Sequence, residues 1–272
     1  MKIVALKIYT DTLKSYRDGV PRLLDTLDEL AIEGSFFFGM GSEGTGSALS
    51  KMFGQGKEIV ASAPGILRDA SRRGQDCGVY GWNPQEWGQR LQKMKDTTVE
   101  ADIKRAVEYF TRRAGARPNG FAAPGFRVSY FSLRVIDEAH FKYCSDTFGL
   151  HPFFPRMSWK TFETLQIPSS LSPLEAVLAK AREPEAKSLL DDLHDSIREG
   201  LNVLPMNAAI ATLPHIYGPF CEFLLRSVQE GVKFISLNRV AERLDPGTLP
   251  SCEVVSSRAF GMAGEVSVQS FE

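Results

Sequence analysis

Hydrophobic and polar positions alternate along the whole chain between short apolar runs and longer amphipathic stretches. The apolar runs predict strands at residues 2–9, 35–40, 77–82, 120–123, 142–146, 164–168, 202–207 and 233–237. The amphipathic stretches predict helices at residues 19–33, 61–74, 86–114, 129–139, 173–198 and 218–230. Strands that alternate with helices are typical of a mainly parallel sheet, and seven or eight such units predict an α/β barrel.

The length of 272 residues suits a single α/β barrel. We predict one barrel domain over residues 1–245. After Asp245 the chain carries Pro246, Gly247 and Pro250, followed by mostly small polar residues. Because proline and glycine interrupt regular elements, residues 246–272 are expected to form a C-terminal surface tail.

Composition and charge exclude some classes of protein. The 32 basic and 33 acidic residues leave a net charge of −1, which gives no general attraction for nucleic acid. No apolar run reaches the ~20 residues of a membrane span, and the N-terminus lacks the cleavage site of a signal peptide. The four cysteines are widely spaced, as in reduced cytosolic proteins. The sequence therefore predicts a cytoplasmic protein without a nucleic-acid partner.

Residues 89–117 carry an excess of basic side chains, eight against four acidic ones. The basic residues are Arg90, Lys93, Lys95, Lys104, Arg105, Arg112, Arg113 and Arg117, and the acidic residues are Asp96, Glu100, Asp102 and Glu108. A solvated helix face explains this pattern. The alternative is peripheral contact with anionic lipid at the inner face of a membrane, which would use the same charges.

Functional side chains of a barrel lie at the carboxyl ends of its strands. The predicted strand ends carry phenols, amides, carboxylates and one arginine, but none of the four histidines of the chain. Histidine is the commonest general base and metal ligand near neutral pH, so its absence argues against ordinary metal hydrolysis and against a Ser-His-Asp triad. A GxGxxG pattern at Gly39, Gly41 and Gly44 lacks the context of a dinucleotide-binding unit and is interpreted as a loop.

Several short segments match one protein family in order and spacing. They are residues 6–24 (LKIYTDTLKSYRDGVPRLL), 36–38 (FFF), 56–59 (GKEI), 78–82 (GVYGW), 143–146 (YCSD), 166–168 (QIP) and 229–234 (QEGVKF). With these segments the chain resembles the NodB-homology polysaccharide deacetylases. Within that family it is most similar to the deformylases of undecaprenyl-phosphate-linked 4-deoxy-4-formamido-L-arabinose. The resemblance implies an irregular (β/α)7-type barrel of the NodB-homology kind in a single domain.

The family hydrolyses its substrates with a metal held by one aspartate and two histidines, with an aspartate as base and a histidine as acid. By resemblance, Asp11 keeps the metal-binding aspartate, whereas Tyr9 occupies the base position. Tyr80 and Pro84 occupy the two histidine positions, and Asn207 occupies the acid position. Since one of the five residues is retained, we expect no metal site, no cofactor and no metal-dependent hydrolysis.

Other residues of the family groove are retained, and their roles stay open. Arg127 is expected either to clamp a phosphate or carboxylate of a ligand or to form an internal salt bridge with Asp146 or Asp11. Asp11 in turn either serves a ligand or caps a nearby loop. The aromatic residues either form a floor for a sugar ring or fill the volume of the lost metal, and these are Tyr9, Tyr80, Trp82 and Phe126. Asn207 either orients an amide ligand or satisfies backbone groups.

We therefore expect a protein that lacks metal-dependent hydrolysis and binds a sugar or a lipid-linked sugar, or that pairs with an active enzyme. The expected pocket consists of Tyr9, Asp11, Tyr80, Trp82, Phe126, Arg127, Asp146 and Asn207. The alternative is a metal-independent deformylase, deacetylase or allantoinase-like amidohydrolase that uses side chains of the same pocket as acid, base and oxyanion stabiliser. A third interpretation keeps deformylase activity with a recruited metal.

Overall fold

The computed structural model describes residues 1–41, 63, 65–178, 182–258, 261–262 and 264–270. Its strands are β1 (Lys2–Thr10), β2 (Gly34–Phe38), β3 (Asp76–Val79), β4 (Gly120–Phe121), β5 (Tyr143–Cys144), β6 (Phe154–Met157), β7 (Lys160–Thr161), β8 (Gly200–Asn207), β9 (Lys233–Phe234), β10 (Ser251–Arg258) and β11 (Glu265–Gln269). Its helices are α1 (Val20–Glu29), α2 (Ile66–Arg72), α3 (Pro84–Arg90), α4 (Asp96–Ala114), α5 (Tyr130–Glu138), α6 (Leu174–Leu178), α7 (Glu183–Asp195), α8 (Ala208–Ala211), α9 (Pro214–Gln229) and α10 (Leu237–Arg243).

The predicted barrel is confirmed as a curled, parallel sheet with helices around it. In the described residues the sheet has seven strands in the order β5-β4-β3-β2-β1-β8, with β9 also paired to β1. All of these pairs are parallel. Strand β1 is buried along most of its length, because one of its faces packs against helices and the other faces the interior of the curled sheet. Its register places Tyr9 opposite Asn207 of β8 and opposite Phe37 of β2.

The prediction of a strand at residues 164–168 is wrong, because these residues do not form a strand in the structure. Gln166 forms single bridges with Cys144 and with Phe153, and no ladder continues from them. Pro168 has no backbone N–H to extend a ladder. The side chain of Gln166 instead donates a hydrogen bond to the Asp146 carboxylate at 2.7 Å, so this segment supports a buried carboxylate rather than the sheet.

Two of the predicted helices are interrupted. The stretch at 86–114 forms α3, a 3-10 turn at Leu91–Lys93 and α4, because Met94 and Lys95 have extended backbone angles. The stretch at 173–198 forms α6 and α7, and residues 179–181 between them lie outside the described residues. Parts of the glycine-rich pattern, of the predicted helix 61–74 and of the matched segment 56–59 also lie outside them.

A second, smaller sheet lies beside the barrel, and the sequence pattern did not predict it. Its strand order is β11-β10-β6-β7. Strands β10 and β11 form an antiparallel hairpin within the segment predicted as a surface tail. Cys252, Val254 and Val266 of this hairpin are buried, and the Phe148 N–H donates to the Ser267 carbonyl at 2.9 Å. Apolar burial therefore joins the last residues to the barrel.

Candidate ligand site at the carboxyl ends of the strands

A pocket of about 750 Å³ lies at the carboxyl ends of β1, β3 and β8. Five of the eight predicted site residues line it, and they are Tyr9, Asp11, Tyr80, Phe126 and Asn207. Pro84, at the first turn of α3, lines it as well. The side chains converge because parallel strands end at the same edge of the sheet.

Aromatic rings form one wall of the pocket. The rings of Tyr9 and Tyr80 are stacked, with centroids 5.0 Å apart and an interplanar angle of 13°. Phe126 meets Tyr9 edge to face at 6.4 Å. The Gly125 N–H donates to the Tyr80 hydroxyl at 3.3 Å, and burial, together with the charge of Asp11, raises the pKa of Tyr80 well above its usual value. The Tyr80 phenol is therefore neutral at physiological pH.

A carboxylate and an oriented amide form the polar side of the pocket. The Asn207 side-chain N–H donates to Asp11 Oδ1 at 2.9 Å. Its carbonyl oxygen accepts from the Ala209 N–H at 2.9 Å, which caps α8, and from the Ser15 hydroxyl at 3.3 Å. These contacts fix which end of the amide faces Asp11. Asn207 thus satisfies backbone groups and presents an oriented side chain to Asp11 at the same time.

Trp82, Arg127 and Asp146 do not line this pocket. Trp82 is buried, with the guanidinium of Arg105 over its ring at 3.7 Å. Arg127 donates from Nε to the Glu265 carbonyl at 3.0 Å and from Nη1 to the Gln89 carbonyl at 3.5 Å. Among the residues that the structure describes, Arg127 forms neither of the salt bridges that the sequence allowed. Its cation supports the rim of the site through backbone contacts.

Asp146 lies buried below the pocket and belongs to a cluster with Lys7, which the sequence analysis missed. The Asp146 carboxylate accepts hydrogen bonds from the Ala123 N–H and the Gln166 side chain, each at 2.7 Å. The fully buried Lys7 ammonium donates to the Ser145 carbonyl and lies 4.2 Å from the centre of the Phe126 ring. Burial raises the pKa of Asp146 and lowers the pKa of Lys7. The sequence signal that could have revealed this cluster is a lysine, Lys7, within an otherwise apolar strand.

Glu175 of α6 is a second residue that the sequence analysis missed. Its side chain lines the pocket, and its Oε2 is buried without a hydrogen-bond partner among the described residues. Burial raises the pKa of Glu175 to about 7, although a hydrogen bond from the Asn207 backbone opposes the rise. No sequence pattern marked this glutamate, because it lies within an ordinary amphipathic stretch.

The side chains around Asp11 do not fit the transition-metal centre of a metal-dependent hydrolase. Such a centre takes three protein ligands from histidine, cysteine and carboxylate side chains. In the described part of the chain, no group of three or more such residues is placed to hold a metal ion. Pro84 has no donor atom in its side chain, and the Tyr80 phenol keeps its proton. Neither supplies a ligand to a metal at Asp11.

One carboxylate of helix α4 holds the loop that carries Tyr80 and Pro84. Asp102 is buried and accepts hydrogen bonds from the Trp82 N–H at 2.6 Å and the Asn83 N–H at 2.8 Å. Asp102 therefore corrects the expectation that the charges of residues 89–117 all lie on a solvated face. Asp102 is stable in this buried position because its carboxylate accepts hydrogen bonds from two backbone N–H groups of the loop, which would otherwise lack an acceptor.

A basic groove of about 690 Å³ adjoins the pocket and shares Gln89 with it. Arg90, Lys93 and Lys95 line the groove and are exposed, and Glu86 is its acidic lining residue. None of the three basic side chains forms an ion pair with another residue of the described ranges. No helix among the described residues is long and apolar enough to cross a membrane.

Comparisons with known proteins agree with this architecture. The family model of polysaccharide deacetylases matches residues 8–144. A probable 4-deoxy-4-formamido-L-arabinose-phosphoundecaprenol deformylase of Shewanella sediminis is 21% identical over 98% of this chain and 94% of its own length. The protein of the same description from Wigglesworthia glossinidia brevipalpis is 26% identical over 80% of this chain and 86% of its own length.

Solved structures share the fold at low sequence identity. A polysaccharide deacetylase structure from Mycobacterium smegmatis has a TM-score of 0.71 and 18% identity, and the match covers 95% of this chain and 96% of the other. A family 4 carbohydrate esterase pseudoenzyme of Bacillus anthracis matches with a TM-score of 0.60 and 11% identity over 90% of this chain and 66% of the other. A mutant of this pseudoenzyme is described as having restored enzymatic activity.

Proposed function

Because the chain belongs to the polysaccharide deacetylase family, we propose that its pocket binds a sugar, in particular a lipid-linked sugar, without metal-dependent hydrolysis. The observation that carries the proposal is the pocket itself, which is lined by the stacked Tyr9 and Tyr80 rings and by the hydrogen-bonded pair of Asp11 and Asn207. An apolar wall opposite a few oriented polar groups is typical of small-molecule sites. Aromatic rings also pack well against the apolar face of a sugar ring.

The basic groove supports a lipid-linked ligand. The two relatives are described as deformylases of a phosphoundecaprenol-linked sugar. If this chain binds a ligand of that class, the sugar occupies the pocket and the phosphate reaches Arg90, Lys93 and Lys95 across Gln89. Unpaired surface cations attract phosphate and anionic lipid headgroups. We propose that the protein is cytoplasmic and binds such a ligand through peripheral contact with the inner face of a membrane.

The chemical nature of the side chains around Asp11 supports the absence of metal-dependent hydrolysis. By the resemblance in sequence, Tyr9, Tyr80, Pro84 and Asn207 are assigned to the positions of the family's base, two metal ligands and acid, and the Tyr80 phenol is neutral. The stacked tyrosine rings occupy the space beside Asp11. Water activation by a metal requires an open coordination position next to at least three ligands.

The test is a binding and turnover assay on the purified full chain. N-formyl and N-acetyl amino sugars, free and attached to a prenyl phosphate, are titrated by calorimetry while product formation and metal content are measured. We expect binding without turnover, and Tyr80→Ala is expected to weaken binding about tenfold through loss of ring contact. The exposed Tyr130 provides the matched control Tyr130→Ala. Stoichiometric metal together with turnover would contradict the proposal.

A metal-independent amidohydrolase is the second candidate, and Glu175 favours it. Glu175 and Asp11 line the same pocket, and burial raises the pKa of Glu175 to about 7. Two carboxyl groups in different environments can act as an acid and base pair. Release of formate or acetate that persists in a strong chelator and is abolished in Glu175→Gln would favour this candidate over simple binding.

A further inference from the structure

The pocket carries more negative than positive charge close to its polar side. Asp11 and Glu175 line it together with one exposed lysine, Lys14. Asn207 connects the two carboxyl groups, because its side chain donates to Asp11 and its backbone hydrogen-bonds to the Glu175 carboxyl group. The two carboxyl groups thus flank a single residue at the end of β8.

The hydrogen-bonding capacity of the Glu175 carboxyl group is only partly used. Its Oε2 has no hydrogen-bond partner among the described residues. Lys7 is the buried cation on this side of the barrel, but its ammonium donates to the Ser145 carbonyl and to Ser169 Oγ and lies against Phe126. A buried carboxyl group with one unsatisfied oxygen is costly, so an ammonium that approaches this group would gain a strong, charge-assisted hydrogen bond.

We propose that the pocket selects amino sugars with a free, protonated amine, and that the ammonium group donates to the carboxyl group of Glu175. The inference rests on the proposed function as a sugar-binding protein and names the ligand class. An ammonium offers three donors and a positive charge, whereas an N-formyl or N-acetyl group offers one N–H and no charge. The pocket is thus matched to the chemical class of a deacylation product.

The pH dependence of binding follows from the groups around Glu175. Lys7 on β1 and a hydrogen bond from the Asn207 backbone favour its ionised form, burial disfavours it, and Asp11 and the exposed Lys14 line the same pocket. Tyr80 stays neutral beside them. Since the Glu175 pKa is raised to about 7 in the empty pocket, binding of an ammonium drives release of its proton. Affinity for the amine therefore increases between about pH 5 and pH 7.5, whereas affinity for the N-formyl sugar does not.

The experiment compares 4-amino-4-deoxy-L-arabinose, its N-formyl derivative and L-arabinose by calorimetry on the full chain. We expect the amine to bind at least about tenfold more tightly than the N-formyl derivative at pH 7.5. Glu175→Gln keeps the shape of the side chain and is expected to remove this preference. Glu163→Gln makes the same charge change at an exposed position and is expected to retain it.

The outcomes separate this inference from the proposed function. Equal binding of the amine and the N-formyl derivative, or a Glu175→Gln variant that keeps the preference, would overturn the selection of amines while sugar binding stands. Absence of binding by all three sugars at millimolar concentration would overturn both. If Glu175→Gln does not fold, the pH dependence of the wild-type protein decides, because a pH-independent affinity for the amine contradicts proton release from Glu175.

Discussion

At the scale of single residues, the protein keeps several ionisable side chains away from water around its pocket. Lys7 and Asp146 are both fully buried. Lys7 lies in the middle of β1, and Asp146 lies two residues after the end of β5. Each is stabilised by hydrogen bonds to backbone or amide groups instead of a direct contact with solvent. Glu175 is the exception, since its Oε2 has no partner among the described residues. A group of this kind is a candidate for function because its burial is only partly compensated by hydrogen bonds.

The stability of the protein is expected to depend on pH through Glu175. Burial raises its pKa from 4.5 to about 7, so between these pH values the folded state holds a proton that the unfolded state has lost. The free energy of unfolding therefore decreases as pH rises through this range, and Glu175→Gln removes that decrease. We expect the variant to gain about 1–3 kcal/mol relative to wild type between about pH 5 and pH 8.

Urea unfolding at both pH values measures this difference. Glu163→Gln, at an exposed position, is the control and is expected to show the same difference from wild type at both pH values. A Glu175→Gln variant whose stability follows that of wild type at every pH would show that Glu175 titrates normally.

At the scale of elements, helix α4 determines where the loop after β3 lies. Asp102 on the inner face of this helix accepts the N–H groups of Trp82 and Asn83. Those residues lie between Tyr80 and Pro84, which line the pocket. Gly81 supports the same turn through a positive φ of 74°, which side chains disfavour. Helix and loop thus form one unit that presents the pocket residues.

Asp102→Ala is expected to destabilise the protein by about 2–4 kcal/mol, because it leaves two buried N–H groups without an acceptor. Ligand affinity is also expected to fall relative to the Glu108→Ala control, because Tyr80 belongs to the loop that loses this support. Thermal unfolding and sugar titration provide the two measurements. Glu108→Ala on the same helix is exposed and serves as control. Unchanged ligand affinity in a destabilised Asp102→Ala variant would show that the loop keeps its position without this carboxylate.

At the scale of the whole molecule, the parallel sheet gathers residues from distant parts of the chain around one volume. Strand β1 lies between β2 and β8, so Tyr9 and Asn207 share a register position. The Tyr80 ring is 5.0 Å from the Tyr9 ring, and Asp11 is hydrogen-bonded to Asn207. Residues from three strand ends therefore line one pocket.

The retained backbone predicts that a metal site can be rebuilt. Tyr9→Asp, Tyr80→His, Pro84→His and Asn207→His together place three imidazoles and one further carboxylate around Asp11, so the variant is expected to bind zinc or cobalt. Hydrolysis is expected to stay slow or absent, because a catalytic base and acid must be held within ~0.5 Å of their productive positions by supporting residues. Calorimetry with each metal and a formate-release assay measure the two properties.

The triple variant that keeps Pro84 is the control, since it lacks one ligand and is expected to bind metal more weakly. A folded quadruple variant without metal uptake would show that the first turn of α3 holds residue 84 too far from Asp11.

The order of apolar runs and amphipathic stretches determined the fold class of this protein. A parallel sheet is buried on both faces, so its strands appear as apolar runs that need no tertiary information to recognise. The same pattern placed Tyr9, Asp11, Tyr80, Phe126 and Asn207 at strand ends, and strand ends of a parallel sheet meet at one edge. For these residues the sequence was sufficient, because topology alone brings them together.

Only the tertiary structure decided which charged residues face the pocket or the interior. Glu175 and Asp102 occupy ordinary helical positions in the sequence, and their burial depends on how α6 and α4 pack against the sheet. Arg127 was a predicted pocket residue, but its guanidinium meets backbone carbonyls at 89 and 265. The hairpin of β10 and β11 also escaped prediction, because its pairing with β6 joins segments about 100 residues apart. The periodicity of apolar residues predicts which face of a helix or strand is buried. Which element packs against that face is decided only when the chain folds.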